Sequence, residues 1–167
     1  MWVKMGVVIM VIVMACQLSG EIKSVVGELL VPTATGETRY KGIITITSAV
    51  IEIECQEKIF QLFNESNQPN QEAIRINTSE VERISLQGNG VVIFPNPPLC
   101  NRYRNLLHRV IVGLILSSSK RMAFIFVIDM DVFKKIGSNE KELIDRINKR
   151  NDPEGRADGF VRFDRGY

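Results

Sequence analysis

Residues His108 to Ile128, HRVIVGLILSSSKRMAFIFVI, hold the densest apolar runs outside the amino terminus. Val110, Ile111 and Val112 are β-branched and Gly113 weakens a helix, so His108–Leu116 reads as a strand. Ser117-Ser118-Ser119 then turns the chain into a second strand, Arg121–Ile128. Both runs are apolar without alternation, which predicts a central hairpin buried on both faces. The residues just before it, from Asn101, read as one or two helical turns.

Working outward toward the carboxy terminus, the next element is a helix over Asn139–Arg150, with Ser138 as its expected N-cap and basic residues at its end. Leu143, Ile144 and Ile147 fall on one face. So narrow a stripe needs a sheet to cover it. Beyond it, residues 151–167 (NDPEGRADGFVRFDRGY) are polar and glycine-rich. They are expected to form a tail, or an edge strand docked through Phe160.

Working outward the other way, Gly88-Asn89-Gly90 supplies the positive φ that primed hairpin turns demand, joining Arg83–Gln87 to Val91–Phe94. Pro95-Asn96-Pro97-Pro98 ends that hairpin, since proline donates no amide hydrogen. Ile74–Ile76 is a shorter strand, separated from Arg83 by the bend Asn77-Thr78-Ser79-Glu80. Ile43–Glu54 (IITITSAVIEIE) alternates with period two and reads as one strand; Lys58–Phe63 (KIFQLF) repeats the pattern. Between that strand and Ile74, Asn64–Glu72 is a nine-residue polar loop, expected to sit in a long-looped hairpin.

Many strands followed by a late helix imply an α+β domain over residues 24–150, built on a mostly antiparallel sheet or a small β-barrel with a C-terminal helix. The element order resembles that of pleckstrin-homology-like barrels. A chain of 167 residues, 45% apolar and 24% charged, is sufficient for one such core. The formal charge is +2, and loss of Lys4 with the leader leaves 20 basic residues against 19 acidic. No basic stripe points to nucleic acid.

The amino terminus carries a different signal. Met5–Ala15 (MGVVIMVIVMA) is an uninterrupted apolar run of eleven residues, the length of a secretory h-region and too short to span a bilayer. Val13-Met14-Ala15-Cys16 resembles the bacterial lipobox. That resemblance implies a signal peptide over residues 1–15 cut before Cys16, acylation of the Cys16 thiol and of the new amino terminus, and a tether over residues 16–23. It implies a lipoprotein of the bacterial cell envelope, membrane-anchored with its domain outside the cytoplasm. Its expected partners are the membrane, through the anchor, and another envelope protein. An uncleaved signal anchor and simple secretion are the competing readings of the same segment.

Cys55 and Cys100 remain as an even pair in a compartment where disulfides persist. A disulfide between them and two part-buried thiols acting as small apolar residues are the alternatives. Their spacing suits no metal, and neither a metal nor another cofactor is expected. Asp129-Met130-Asp131 after an apolar strand is similar to the nucleophile motif of haloacid-dehalogenase-type phosphatases. Only 36 residues follow Asp131, too few for the completing motifs, so two solvated carboxylates at a strand end are expected.

His108 is the only imidazole, and with Cys100 or one of Ser117–Ser119 it would make an exported hydrolase. Arg102, Arg104 and Arg109 with Tyr103 could bind phosphate or carboxylate, or form a solvated face. The scarcity of histidine favours a non-catalytic binding or structural module over the hydrolase.

Overall fold

The computed structural model describes residues 21–56, 73–113, 119–154 and 161–163. In chain order these form β1 (Ile22–Thr33), β2 (Gly36–Ile46), β3 (Val50–Cys55), β4 (Ala73–Asn77), a 3-10 turn (Thr78–Glu80), β5 (Val81–Gln87) and β6 (Gly90–Pro95). There follow α1 (Pro97–Arg102), a second 3-10 turn (Arg104–Leu106), β7 (His108–Val112), β8 (Ser119–Ile128), α2 (Met130–Phe133), α3 (Ser138–Asn151) and β9 (Val161–Phe163). The sheet runs β4-β3-β2-β1-β8-β6-β5, with β7 on β8 and β9 on β7. Every described pairing is antiparallel.

Alternation explains the elements and assigns their faces. Ile44, Ile46, Ile51, Ile53, Ile74 and Ile76 are all buried, and they alternate along β2, β3 and β4 with partly or fully exposed residues. The stretch Ile43–Glu54, expected as one strand, is a hairpin. Thr47 breaks it: its Oγ1 accepts from the amides of Ala49 (3.3 Å) and Val50 (3.0 Å), so the chain reverses and Ile44 faces Ile53. The Gly88-Asn89 turn is as expected, with Gly88 at φ +57° and Gln87 opposite Gly90. Lys58–Phe63 and the polar loop that follows it lie outside the described residues.

β8 changes partners along its length. Ser119–Ala123 pairs with β7, Phe124–Val127 with β6, and Ile125–Ile128 with β1. It is the central strand, as expected. β7 is a correction: only Val110 of its five residues is buried, because β7 touches just the first half of β8. The strand buried along its whole length is β6, held between β5 and β8. Ahead of β7, the expected helical turns are α1 and the second 3-10 turn. Asn96 caps α1 by accepting from Leu99 N at 3.2 Å, with Pro97 in the first turn, where its missing N–H costs nothing.

The sheet is open, which settles the choice between sheet and closed barrel. β4 and β5 stand at opposite ends of the strand order, yet three residues join them. The sheet must therefore curl until its ends approach at one corner. α3 fills the seam. Asn148 accepts from Ile84 N and donates to Ile84 O, both at 2.8 Å, so one carboxamide satisfies both backbone groups of an edge position. Asn151 Nδ2 donates to the carbonyls of Thr78 (2.7 Å) and Val81 (2.6 Å). Arg150 donates to Thr78 Oγ1 at 2.8 Å, and that buried hydroxyl donates to Ser48 O at 2.7 Å. The helix begins at Ser138, with Gly137 rather than Ser138 as N-cap, and buries Leu143, Ile144 and Ile147 as expected.

Curling gives the sheet an inner and an outer face. The inner core joins Leu29, Val31, Phe124, Phe126 and Ile128 to the isoleucines of β2–β4 and to the α3 stripe. A smaller outer cluster holds Leu30, Val92, Phe94, Val110, Ala123 and Ile125. Gly27 lies where β1 meets β8 closely; a Cβ there would stand 2.3 Å from Val127 O and 2.6 Å from the Phe126 ring. After α3, β9 adds an edge strand to β7 through Val110–Phe163 and its neighbours; Phe160 lies outside the described residues.

Candidate functional site

His108 opens β7 directly opposite Ala123, which puts both on the outer face beside Val110. Burial pushes the imidazole pKa down, against weaker upward pulls from a Leu30 backbone hydrogen bond and from the Glu37 carboxylate. Nε2 is buried with no hydrogen-bond partner among the described residues. The half-buried ring thus stands at the edge of the outer cluster, where burial favours its neutral form. Ser119 is four positions along β8 from Ala123, opposite Val112 and far from the ring; Ser117 and Ser118 lie outside the described residues.

Cys100 sits in α1, and its Sγ donates to Pro95 O at 3.3 Å. Burial raises the thiol pKa, Glu82 raises it further, and Arg121 opposes them. A thiol held in this way is a weak nucleophile at neutral pH. Cys55 ends β3 opposite Gly42, and its Sγ lies 3.3 Å from where a Cβ on that glycine would be. Neither cysteine is in a disulfide, and both pack against the inner core.

The arginine and tyrosine cluster divides. Tyr103 is buried and packs edge-on against Phe124, with ring centroids 5.6 Å apart. Its pKa is raised by burial, while Arg102, which hydrogen-bonds its hydroxyl, works in the other direction. Arg102, Arg104 and Arg109 are exposed. Arg109 faces Met122 across the β7–β8 pair, on the side opposite His108. At the end of β8, Asp129 caps α2 by accepting from Asp131 N at 2.9 Å. Asp131, 87% exposed, faces Lys134 at 3.8 Å. These are solvated carboxylates at a strand end.

One feature escaped the sequence. The exposed large hydrophobics among the described residues are Val26 (61%), Met130 (46%) and Val132 (37%). Val26 precedes Gly27, which pairs with Ile128; Asp129 follows Ile128 and leads into α2 with Met130 and Val132. All three therefore stand at the same end of the β1–β8 pair. Phe133 packs against the inner core, which fixes the turn that carries Met130 and Val132. Val25-Val26 could have drawn attention, but only the register places it beside α2.

No helix among the described residues is long and apolar enough to cross a membrane, and no group of metal-ligating side chains occurs among them. Compared with protein-family models, with curated proteins and with solved structures, the chain matches none.

Proposed function

We propose that this chain is a lipid-tethered module of a bacterial cell envelope, anchored through Cys16, with its β-rich domain outside the cytoplasm and acting by binding or structural contact. The observation that supports a non-catalytic role is where the reactive side chains are spent. Cys100 bonds Pro95, Asp129 caps α2, Tyr103 packs on Phe124, and the half-buried His108 stands opposite Ala123 with a hydrogen bond to the Leu30 backbone. Among the described residues no serine or cysteine is hydrogen-bonded to the imidazole, so no observation favours the hydrolase. The pleckstrin-homology-like likeness is proposed only as an element order, with α3 wedged into a seam that stays open.

The tether is tested by metabolic labelling with a fatty-acid probe. Wild-type chain is expected to incorporate the label and Cys16→Ser to lose it. Equal labelling of the two removes the lipid from Cys16. Catalysis has its own check: a folded His108→Ala protein that fails to complement a deletion would return the hydrolase to first place.

A further inference from the structure

We infer that the corner formed by Val26, Met130 and Val132 is a membrane-contacting face, seated in the interfacial region of the bilayer that holds the anchor. The inference rests on the tether proposed above. Single exposed apolar residues need no explanation, but the three large ones among the described residues share one end of one strand pair. It is also the end at which the chain enters the domain. Cys16 is six residues before Ile22, a contour of about 20 Å when fully extended. Val26 follows four residues into β1. A lipid on Cys16 therefore keeps this corner within a short reach of the headgroups.

The surrounding charges say what kind of contact this is. Around α2, Asp129, Asp131, Lys134 and Lys135 are exposed and cancel in charge, and on Val26's face of the sheet Glu28 stands opposite Lys41 with Glu54 two strands over, so this end carries no excess of positive charge. Lys134 is already paired with Asp131. Attraction to anionic lipid is therefore absent, and the contact is apolar, with Lys135 free to extend its stem toward the headgroups. Binding of this kind is insensitive to salt. A second copy of the chain is the alternative occupant.

Tryptophan scanning tests this on the lipid-anchored chain, because the single native tryptophan, Trp2, lies in the leader that cleavage before Cys16 removes, and Trp2→Phe silences any uncleaved chain as well. In a Trp2→Phe background, Val26→Trp, Met130→Trp and Thr35→Trp are reconstituted into phosphatidylethanolamine–phosphatidylglycerol vesicles containing brominated lipid. Thr35 lies at the exposed tip of the β1–β2 hairpin, about 25 Å along β1 from Val26. Flotation shows whether the chain is held by the vesicle. The expected result is flotation with blue-shifted, bromine-quenched emission at positions 26 and 130, unchanged at high salt, and unquenched emission at position 35.

Flotation without quenching at positions 26 and 130 overturns the face while leaving the tether intact. A blue shift without quenching also overturns it, in favour of contact between copies. Chain that does not float, together with equal fatty-acid labelling of wild type and Cys16→Ser, removes the tether and the inference with it.

Discussion

The two faces of β8 are built from neighbouring residues and closed by different means. Inward, Phe124, Phe126 and Ile128 meet a core drawn from β1 to β6 and roofed by α3. Outward, Ala123 and Ile125 meet only Leu30, Val92, Phe94 and Val110, with Val112 and Val127 at the margin. The inner face is sealed by a helix whose own side chains bond the sheet edge. The outer face depends on β7, a five-residue strand that is mostly part-exposed. Equal burial of individual residues thus hides unequal support, and support decides how far a site can collapse after a substitution.

The largest expected effect tests that inequality. Ile128→Ala on the inner face is expected to cost about 3–5 kcal/mol and Ile125→Ala on the outer face about 2–3 kcal/mol, read from urea midpoints at constant slope. Equal losses would mean that the outer face is as firmly closed as the inner one.

Next comes the device that holds the inner roof. Asn148→Ala leaves both backbone groups of Ile84 without their partner, at a cost of about 1–3 kcal/mol. The Ile84 amide should then exchange with solvent faster than the amides of β8. Unchanged exchange at Ile84 would show that the Asn148 carboxamide does not protect this edge, leaving the apolar stripe and the Arg150 and Asn151 bonds to hold the helix.

The smallest effect reports on the outer face through pH. His108 has its pKa lowered in the folded state, chiefly by burial, whereas the unfolded chain keeps an ordinary histidine near about 6.5. Between the two values the unfolded state binds more protons. Stability from the neutral ring is therefore complete above the unfolded pKa, and it declines as pH falls from there through the folded pKa. A melting-temperature series from about pH 7.5 to about pH 5.5 should slope downward in the wild type and flatten in His108→Leu. With a single histidine in the chain, a slope that survives in the variant would place the proton elsewhere.

Much of the architecture was legible from periodicity. The apolar run Arg121–Ile128, the Gly88-Asn89-Gly90 turn and the Leu143–Ile147 stripe each state a local preference that the tertiary structure keeps, while the expected proline stop comes one residue late, with Pro95 the last residue of β6 opposite Val81. Two readings failed for a common reason. Ile43–Glu54 alternates across a bend because the strands on both sides of Thr47 return to the same inner face. Val110-Ile111-Val112 looked as deeply buried as Phe124-Ile125-Phe126, although a strand's depth depends on how many neighbours it has.

Composition and pattern by themselves determined that this chain is β-rich, carries a late amphipathic helix and has an uninterrupted apolar run, Met5–Ala15, before Cys16. Those properties follow from side-chain period and residue type, which are local. Only the tertiary structure decided that the sheet stays open with α3 bonded into its seam. It likewise decided that His108 stands opposite Ala123 and that Val26 stands at the same end of the β1–β8 pair as Met130 and Val132. Such placements depend on strand order and register, which join residues about a hundred positions apart and leave no mark in any short window of sequence.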